Sequence, residues 1–160
     1  MKLSTQMAKT ASRGQGWVIG QFILIGCILV SGFFDPWHQV RSLQSSIVGI
    51  GLIMLGIYCL VVAVRDLGTN LTAYPKPLDD GQLVTTGIYA IVRHPIYTGL
   101  LATCVGVVII SQSSICGVFV VALSLLLDQK ANREEGFLAT RFVDYPAYRT
   151  HTRKFIPFIW

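Results

Sequence analysis

An arginine, a histidine and two tyrosines meet in the stretch Gly87-Ile88-Tyr89-Ala90-Ile91-Val92-Arg93-His94-Pro95-Ile96-Tyr97-Thr98-Gly99, at the mouth of an apolar segment. Pro95 suits the first turn of a helix, where a missing N–H costs nothing and φ is already set. Arg93 and His94 then sit just outside that helix, beside its unpaired N–H groups and the positive end of its dipole. Such a place attracts an anionic ligand group. The same two side chains would equally serve as an interfacial anchor at a membrane surface. A second polar cluster, Asp128-Gln129-Lys130-Ala131-Asn132-Arg133-Glu134-Glu135, directly follows a later apolar run. On a helix Lys130 and Glu134 are i,i+4 neighbours. One reading is a solvated helix end with a weak ion pair, worth about 0.3–0.5 kcal/mol. The other sets the two carboxylates opposite Arg93 and His94 across a cavity. There they would accept hydrogen bonds from sugar hydroxyls or an ammonium while the cations hold a carboxylate.

The elements that must position these clusters are apolar. Of 160 residues 52% are hydrophobic and only 13% charged, against about a quarter charged in soluble domains. The length allows one domain. The run Trp17–Phe34 is long enough to span a bilayer, which takes about 20 residues. Trp17 and Trp37 bracket it as interfacial aromatics do, and Asp35-Pro36 ends it. A second run, Ile47–Val64, holds Gly49, Gly51 and Gly56 and no charge. Small residues let helices approach closely in lipid, so one face of this run packs on a neighbour. A third run, Pro95–Ile110, and a fourth, Ile115–Leu127, are joined by uncharged Ser111-Gln112-Ser113-Ser114. Together they read as a helical hairpin whose second helix continues past Asp128 to about Arg141.

Between the second and third runs, Arg65–Val92 is the longest polar connection, punctuated by Pro75, Pro77, Asp79-Asp80-Gly81 and Thr85-Thr86-Gly87. Its interleaved Leu71, Tyr74, Leu78, Leu83, Val84 and Tyr89 argue that it packs down. The basic residues near the span ends fix an orientation. Lys2, Lys9 and Arg13 precede the first run. Arg65, Lys76 and Arg93 lie in the second connection, and Lys130, Arg133, Arg141, Arg149, Arg153 and Lys154 in the tail; the other two connections offer only Arg41. Four helices therefore put both termini and both polar clusters on the cytosolic side of a multi-pass protein, most simply of the cell (inner) membrane.

The net charge of +5 is spread over chain ends and loops, which suits a membrane protein's cytosolic side and not a nucleic-acid surface. Cys27, Cys59, Cys104 and Cys116 all fall inside apolar runs without a CxxC pair, so neither disulfide nor metal site is expected. The tail from Phe142 to Trp160 interleaves basic and aromatic residues, as a segment lying along lipid headgroups does, with one or two of them left to touch a ligand. The glycine-rich helix faces also offer a route to a homo-oligomer.

Val84-Thr85-Thr86-Gly87-Ile88-Tyr89 with Val92-Arg93-His94-Pro95-Ile96-Tyr97-Thr98-Gly99, then Glu134-Glu135 and a tail containing Pro157, resembles the isoprenylcysteine carboxyl methyltransferase family. The related phospholipid N-methyltransferases share much of this pattern. The resemblance covers roughly Arg65 to the C-terminus; the first two helices match only in hydropathy. It implies an all-α integral membrane fold of about four transmembrane helices. Residues 1–16 would be a cytosolic segment, 17–64 the first two spans and 65–160 the catalytic portion of a single domain. The implied cofactor is S-adenosyl-L-methionine, held by Leu83, Val84, Tyr89, His94, Pro95, Tyr97, Glu134 and Glu135. Arg93, His94 and Glu134 would be catalytic, with Lys130 at the position of the family's substrate-side arginine. Lysine lacks the bidentate fork that suits a carboxylate. The tail is one residue shorter than the usual FGxxYxxY and lacks its glycine.

Three functions follow from these residues. The first is methyl transfer to a lipophilic acceptor, prenylated or lipid-like, foremost carboxyl methylation of the isoprenylcysteine type, with phospholipid N-methylation beside it. The second is an NADPH-dependent membrane reductase similar to the sterol reductases, which carry a related RHPxYxG motif; Ile96 and Leu100 stand where those enzymes tend to have Asn and Glu. The third is a non-enzymatic scaffold assembled through its glycines, which leaves both polar clusters without a role.

Overall fold

A computed structural model describes residues 14–34, 42–78 and 80–157. The basic residues Lys2, Lys9 and Arg13, the helix stop at Asp35-Pro36, Trp37, Arg41, Asp79 and Trp160 lie outside them. Among the described residues five α-helices form: α1 (Gln15–Phe34), α2 (Leu43–Leu67), α3 (Pro95–Ser111), α4 (Ser114–Arg141) and the short α5 (Tyr145–His151). Among the described residues the only β pairing is an isolated parallel bridge between Val92 and Arg153.

Each boundary has a local cause. Ser42 caps α2 by accepting from the Ser45 N–H at 3.0 Å, which satisfies one of the donors a helix start leaves open. Pro95 opens α3. Gln112, at φ +54°, ends α3 in the left-handed conformation, and Ser113 then caps α4 by accepting from Cys116 N at 3.0 Å. That turn is the expected hairpin. Helices α1, α2 and α4 are long and apolar enough to cross a membrane, while the 17-residue α3 is shorter. At about 1.5 Å per residue the 20 residues of α1 match a hydrocarbon core of about 30 Å. Their outward faces carry large apolar side chains, such as Phe22, Phe33, Met54 and Val118, as expected of a helix surrounded by lipid.

Two contacts build the bundle. In the first, α2 and α3 run antiparallel and touch through glycine. A Cβ on Gly56 would lie 2.6 Å from the Gly99 carbonyl oxygen, and one on Gly106 would lie 2.6 Å from the Gly49 carbonyl oxygen. Only hydrogen fits at these crossings. The glycine face of α2 is thus occupied within one chain, and it is not open to a second copy at Gly49 or Gly56; Gly51 meets nothing within 4 Å. The second contact packs α1 on α4, with α3 alongside, around Ile28, Cys104, Cys116, Val120, Leu123 and Leu127. The starts of α1 and α3 and the ends of α2 and α4 share one end of the bundle, where both polar clusters meet.

The connection from Gly68 to His94 is packed down by named bonds. Asn70 Oδ1 accepts from Gln82 N at 2.7 Å. Arg141, at the end of α4, donates to the carbonyl oxygens of Leu78 and Gly81. Asp66 Oδ2 accepts from Ile88 N at 3.0 Å and so caps the one-turn helix Gly87–Ala90. Gly87 has φ +62°, and a Cβ there would sit 2.1 Å from that same oxygen, so glycine is required twice over.

The tail departs from the expectation of a segment lying along headgroups. It folds back over the Arg93-His94-Pro95 stretch. Arg93 N donates to Arg153 O at 2.8 Å and His94 N to Lys154 O at 3.1 Å. Thr98 Oγ1 donates to Phe155 O at 2.7 Å, and Tyr148 OH to Tyr89 O at 2.6 Å. Tyr145, Thr152, Lys154 and Phe155 are consequently buried. Unpaired backbone groups at the irregular entry to α3 need partners, and the tail supplies them.

Candidate active site

The entry to α3 sets out the first row of side chains. His94 precedes Pro95 and accepts from Tyr97 N and Thr98 N through its carbonyl, each at 3.0 Å. This fixes the ring of His94 against that of Tyr97, stacked at 5.3 Å between centroids and 2° between planes. The second row comes from α4 beyond its apolar stretch, where residues 130 and 134 project to the same side and 135 to the next.

The adjacent glutamates divide the work. Tyr97 OH donates to Glu134 Oε2 at 2.9 Å, and His94 Nδ1 lies 3.7 Å from the same oxygen. The Glu134 side chain keeps 28% of its surface exposed and borders a cavity. Glu135 is only 5% exposed and faces the other way, receiving Arg93 Nε at 2.9 Å, His94 Nε2 at 3.2 Å and Arg149 Nε at 3.4 Å. Burial pushes the Glu135 carboxyl up, but the hydrogen bonds from His94 and Arg93 outweigh it and hold the group well below its ordinary range. Glu135 therefore stays ionised as the anchor of Arg93 and His94.

Arg93 is anchored on its other edge too. Its Nη1 donates to the carbonyl oxygens of Arg149 and Thr152. The sequence reading offered this guanidinium to an anionic ligand; in the fold it ties α4 to the tail. Lys154 makes a similar tie, to the Asp128 carboxylate and to Asn132 Oδ1, the latter at 2.8 Å.

The cavity has a volume of about 470 Å³. Its walls are Val18, Gln21 and Phe22 of α1, the packed-down connection through Leu83 and Val84, Tyr89, the Arg93–Tyr97 stretch, Lys130, Glu134 and Leu138 of α4, and Tyr145 and Tyr148 of α5. Of the residues picked out by sequence, Leu83, Val84, Tyr89, Arg93, His94, Pro95, Tyr97, Lys130 and Glu134 border this space. Glu135 does not. It lines a separate polar recess with Arg149, Arg153 and Lys154.

Lys130 is 2% exposed. Its Nζ donates to Gln21 Oε1 at 2.7 Å and lies 5.1 Å from the centre of the Tyr97 ring. Its charge is held by a neutral amide, by the nearby Glu134 carboxylate and by an aromatic face, the last a contact worth up to about 2 kcal/mol when desolvated. Sequence reasoning missed Gln21, although the single amide in the run Trp17–Phe34 was the available signal: polar groups within spans face the bundle interior. It also gave the tail mainly to the membrane surface, without saying which of its residues reach the cavity. Tyr145 and Tyr148 face the cavity, and the Tyr148 phenol is pushed up to about 12, chiefly by burial. That keeps its proton in place for the bond to Tyr89 O. Among the described residues no group of three His, Cys, Asp or Glu could hold a metal ion.

Comparison with known proteins bears on the family and the fold. The chain is 24% identical over 143 residues to the cobalt-zinc-cadmium resistance protein CzcN of Cupriavidus metallidurans, covering 88% of this chain and 61% of that one. It is 25% identical over 146 residues to the protein-S-isoprenylcysteine O-methyltransferase of Saccharomyces cerevisiae, covering 86% and 61%. The solved structure of a eukaryotic intramembrane Ras methyltransferase, isoprenylcysteine carboxyl methyltransferase, superposes with a TM-score of 0.66 at 25% identity, over 91% of this chain and 53% of that one. The chain thus spans between half and two thirds of the length of each of these three proteins. The profile of the phospholipid methyltransferase family matches residues 45–144, from α2 to the foot of α5. An all-helical membrane bundle with this motif set, matched by that profile over most of its length, belongs to the phospholipid methyltransferase family.

Proposed function

We propose that the chain is an S-adenosyl-L-methionine-dependent methyltransferase acting on a lipophilic acceptor at the membrane, by carboxyl methylation of the isoprenylcysteine type. One observation carries this reading: His94, Tyr97, Lys130 and Glu134 converge on a largely apolar cavity at the common end of four membrane helices. The active side would face the cytosol, as the distribution of basic residues favours.

The residues fit the cofactor. A cavity of about 470 Å³ falls in the range of small-molecule sites, about 300–1,000 Å³. When bound, S-adenosyl-L-methionine supplies a methyl group on a positively charged sulfonium. The ring of Tyr89 offers an aromatic face that attracts such a cation, while that of Tyr97 is already stacked on His94 and lies under Lys130 Nζ. Glu134 offers an acceptor for a hydroxyl or an ammonium. Leu83, Val84 and Pro95 supply apolar walls that exclude water, which strengthens each of these contacts. Arg93 and Glu135 act one step back by locking His94 in place.

The acceptor side is built from Lys130 and Gln21. Lys130 presents a cation whose hydrogen-bond partner is neutral, so an anionic acceptor group finds an attractive charge beside the cavity. A carboxylate acceptor is already ionised near pH 7 and needs no base. The chain's task is then placement, holding two reactants in line in a dry space. Glu134 favours a second reading, phospholipid N-methylation, because a carboxylate at the cavity edge can take the proton an amine must lose. Transfer of radiolabelled methyl from S-adenosyl-L-methionine into a prenylated cysteine with a free carboxylate, set against transfer into phosphatidylethanolamine, tests both. Label in the prenylcysteine is the expected result. Label only in the phospholipid replaces the first reading by the second, and label in neither removes both.

A further inference from the structure

We infer that the Tyr145 hydroxyl donates a hydrogen bond to the ligand of the cavity, which makes the C-terminal helix α5 part of the binding site. The inference rests on the methyltransferase reading for the identity of that ligand, a sulfonium nucleoside. Tyr145 is 1% exposed, and its Oη is the one buried side-chain oxygen or nitrogen among the described residues that has no hydrogen-bond partner. The residue nevertheless borders the cavity. A buried hydroxyl without a partner is costly, and its occurrence in a folded protein calls for a reason.

Its surroundings sharpen the point. Tyr148, one turn on, has its hydroxyl fully engaged with Tyr89 O at 2.6 Å, and the two tyrosine rings meet edge to face at 5.9 Å. Of the two phenols, the more deeply buried one, Tyr145, is the one the protein leaves unsatisfied. Burial and then the charge of Glu135 hold the Tyr145 phenol in its protonated form, so it is a donor that lacks an acceptor. Tyr145 also starts the segment whose Arg149 and Thr152 carbonyls hold Arg93, so a bond from ligand to Tyr145 fastens the tail over the site.

The test is Tyr145→Phe in the detergent-purified full chain, with S-adenosylhomocysteine as the probe in calorimetric titration. A single hydrogen bond predicts a loss of affinity of about three- to tenfold. The thermal midpoint without ligand should stay unchanged or rise, because an unsatisfied polar atom has been removed. Tyr148→Phe is the control: it breaks a bond already made, so its midpoint should fall. Affinity decides the matter. A loss of threefold or more supports the inference, and anything smaller overturns it, whatever the midpoint does. No heat with the unmodified chain would instead remove the methyltransferase reading, and this inference with it.

Discussion

Glu134 and Glu135 are neighbours in sequence and opposites in role, because successive positions on a helix are about 100° apart. Glu134 meets Tyr97 at the cavity edge, and Glu135 is enclosed by Arg93, His94 and Arg149. Glu134→Gln should therefore leave the fold intact and weaken binding of S-adenosylhomocysteine severalfold in calorimetry. Glu135→Ala should instead damage the fold. It leaves a buried guanidinium without its carboxylate, a change that costs about 3–5 kcal/mol, and the thermal midpoint in detergent should drop sharply. Equal loss of stability in the two variants would contradict this division. At this scale the sequence was partly legible. The types and spacing of His94, Tyr97, Lys130 and Glu134 marked the cavity, but which way each glutamate points depends on a partner, Arg149, that arrives from another element.

The elements themselves were the most legible part. Periodicity is no guide in helices that are apolar all round, yet run length and turn residues placed four helices within a few residues of their observed ends. Glycine spacing foretold a close contact without naming its partner, since Gly49 and Gly56 find Gly106 and Gly99 only after the chain has turned back. Gly56→Ala forces a Cβ to within 2.6 Å of a backbone oxygen, so α2 and α3 must separate; overpacking of this kind costs about 1–3 kcal/mol. Gly51→Ala meets open space and should be neutral or stabilising, since alanine is the better helix former by about 1 kcal/mol. Comparing the two midpoints checks the contact, and a similar loss in both would refute it. The tail was not legible as an element. Basic and aromatic residues suit a headgroup layer and a docked clamp equally, and the backbone bonds between Arg93-His94 and Arg153-Lys154 carry no side-chain signature.

Taken as a whole, the bundle is built from two glycine- and apolar-packed helix contacts that lie at membrane depth. A polar roof of loop, α4 extension and tail closes one end. Side-chain chemistry is confined to the roof and to Gln21 and Lys130 just below it. On the proposed reading a charged cofactor lies at the roof and an apolar acceptor at the lipid-facing wall, where Phe22 both lines the cavity and stands 64% exposed. Lys130→Met keeps the length of the side chain and removes its charge. It should spare S-adenosylhomocysteine affinity to within about twofold and lower methyl transfer to a carboxylate acceptor by tenfold or more, as loss of a charged contact worth about 1.5–3 kcal/mol requires. A parallel loss of cofactor affinity would move Lys130 to the cofactor side. The central claim, that this cavity is built for a sulfonium nucleoside, is tested most directly by calorimetric titration of the purified chain with S-adenosylhomocysteine and, separately, with NADPH. Saturable heat with S-adenosylhomocysteine, weakened by Glu134→Gln, and none with NADPH is the predicted result; binding of NADPH without S-adenosylhomocysteine would contradict it.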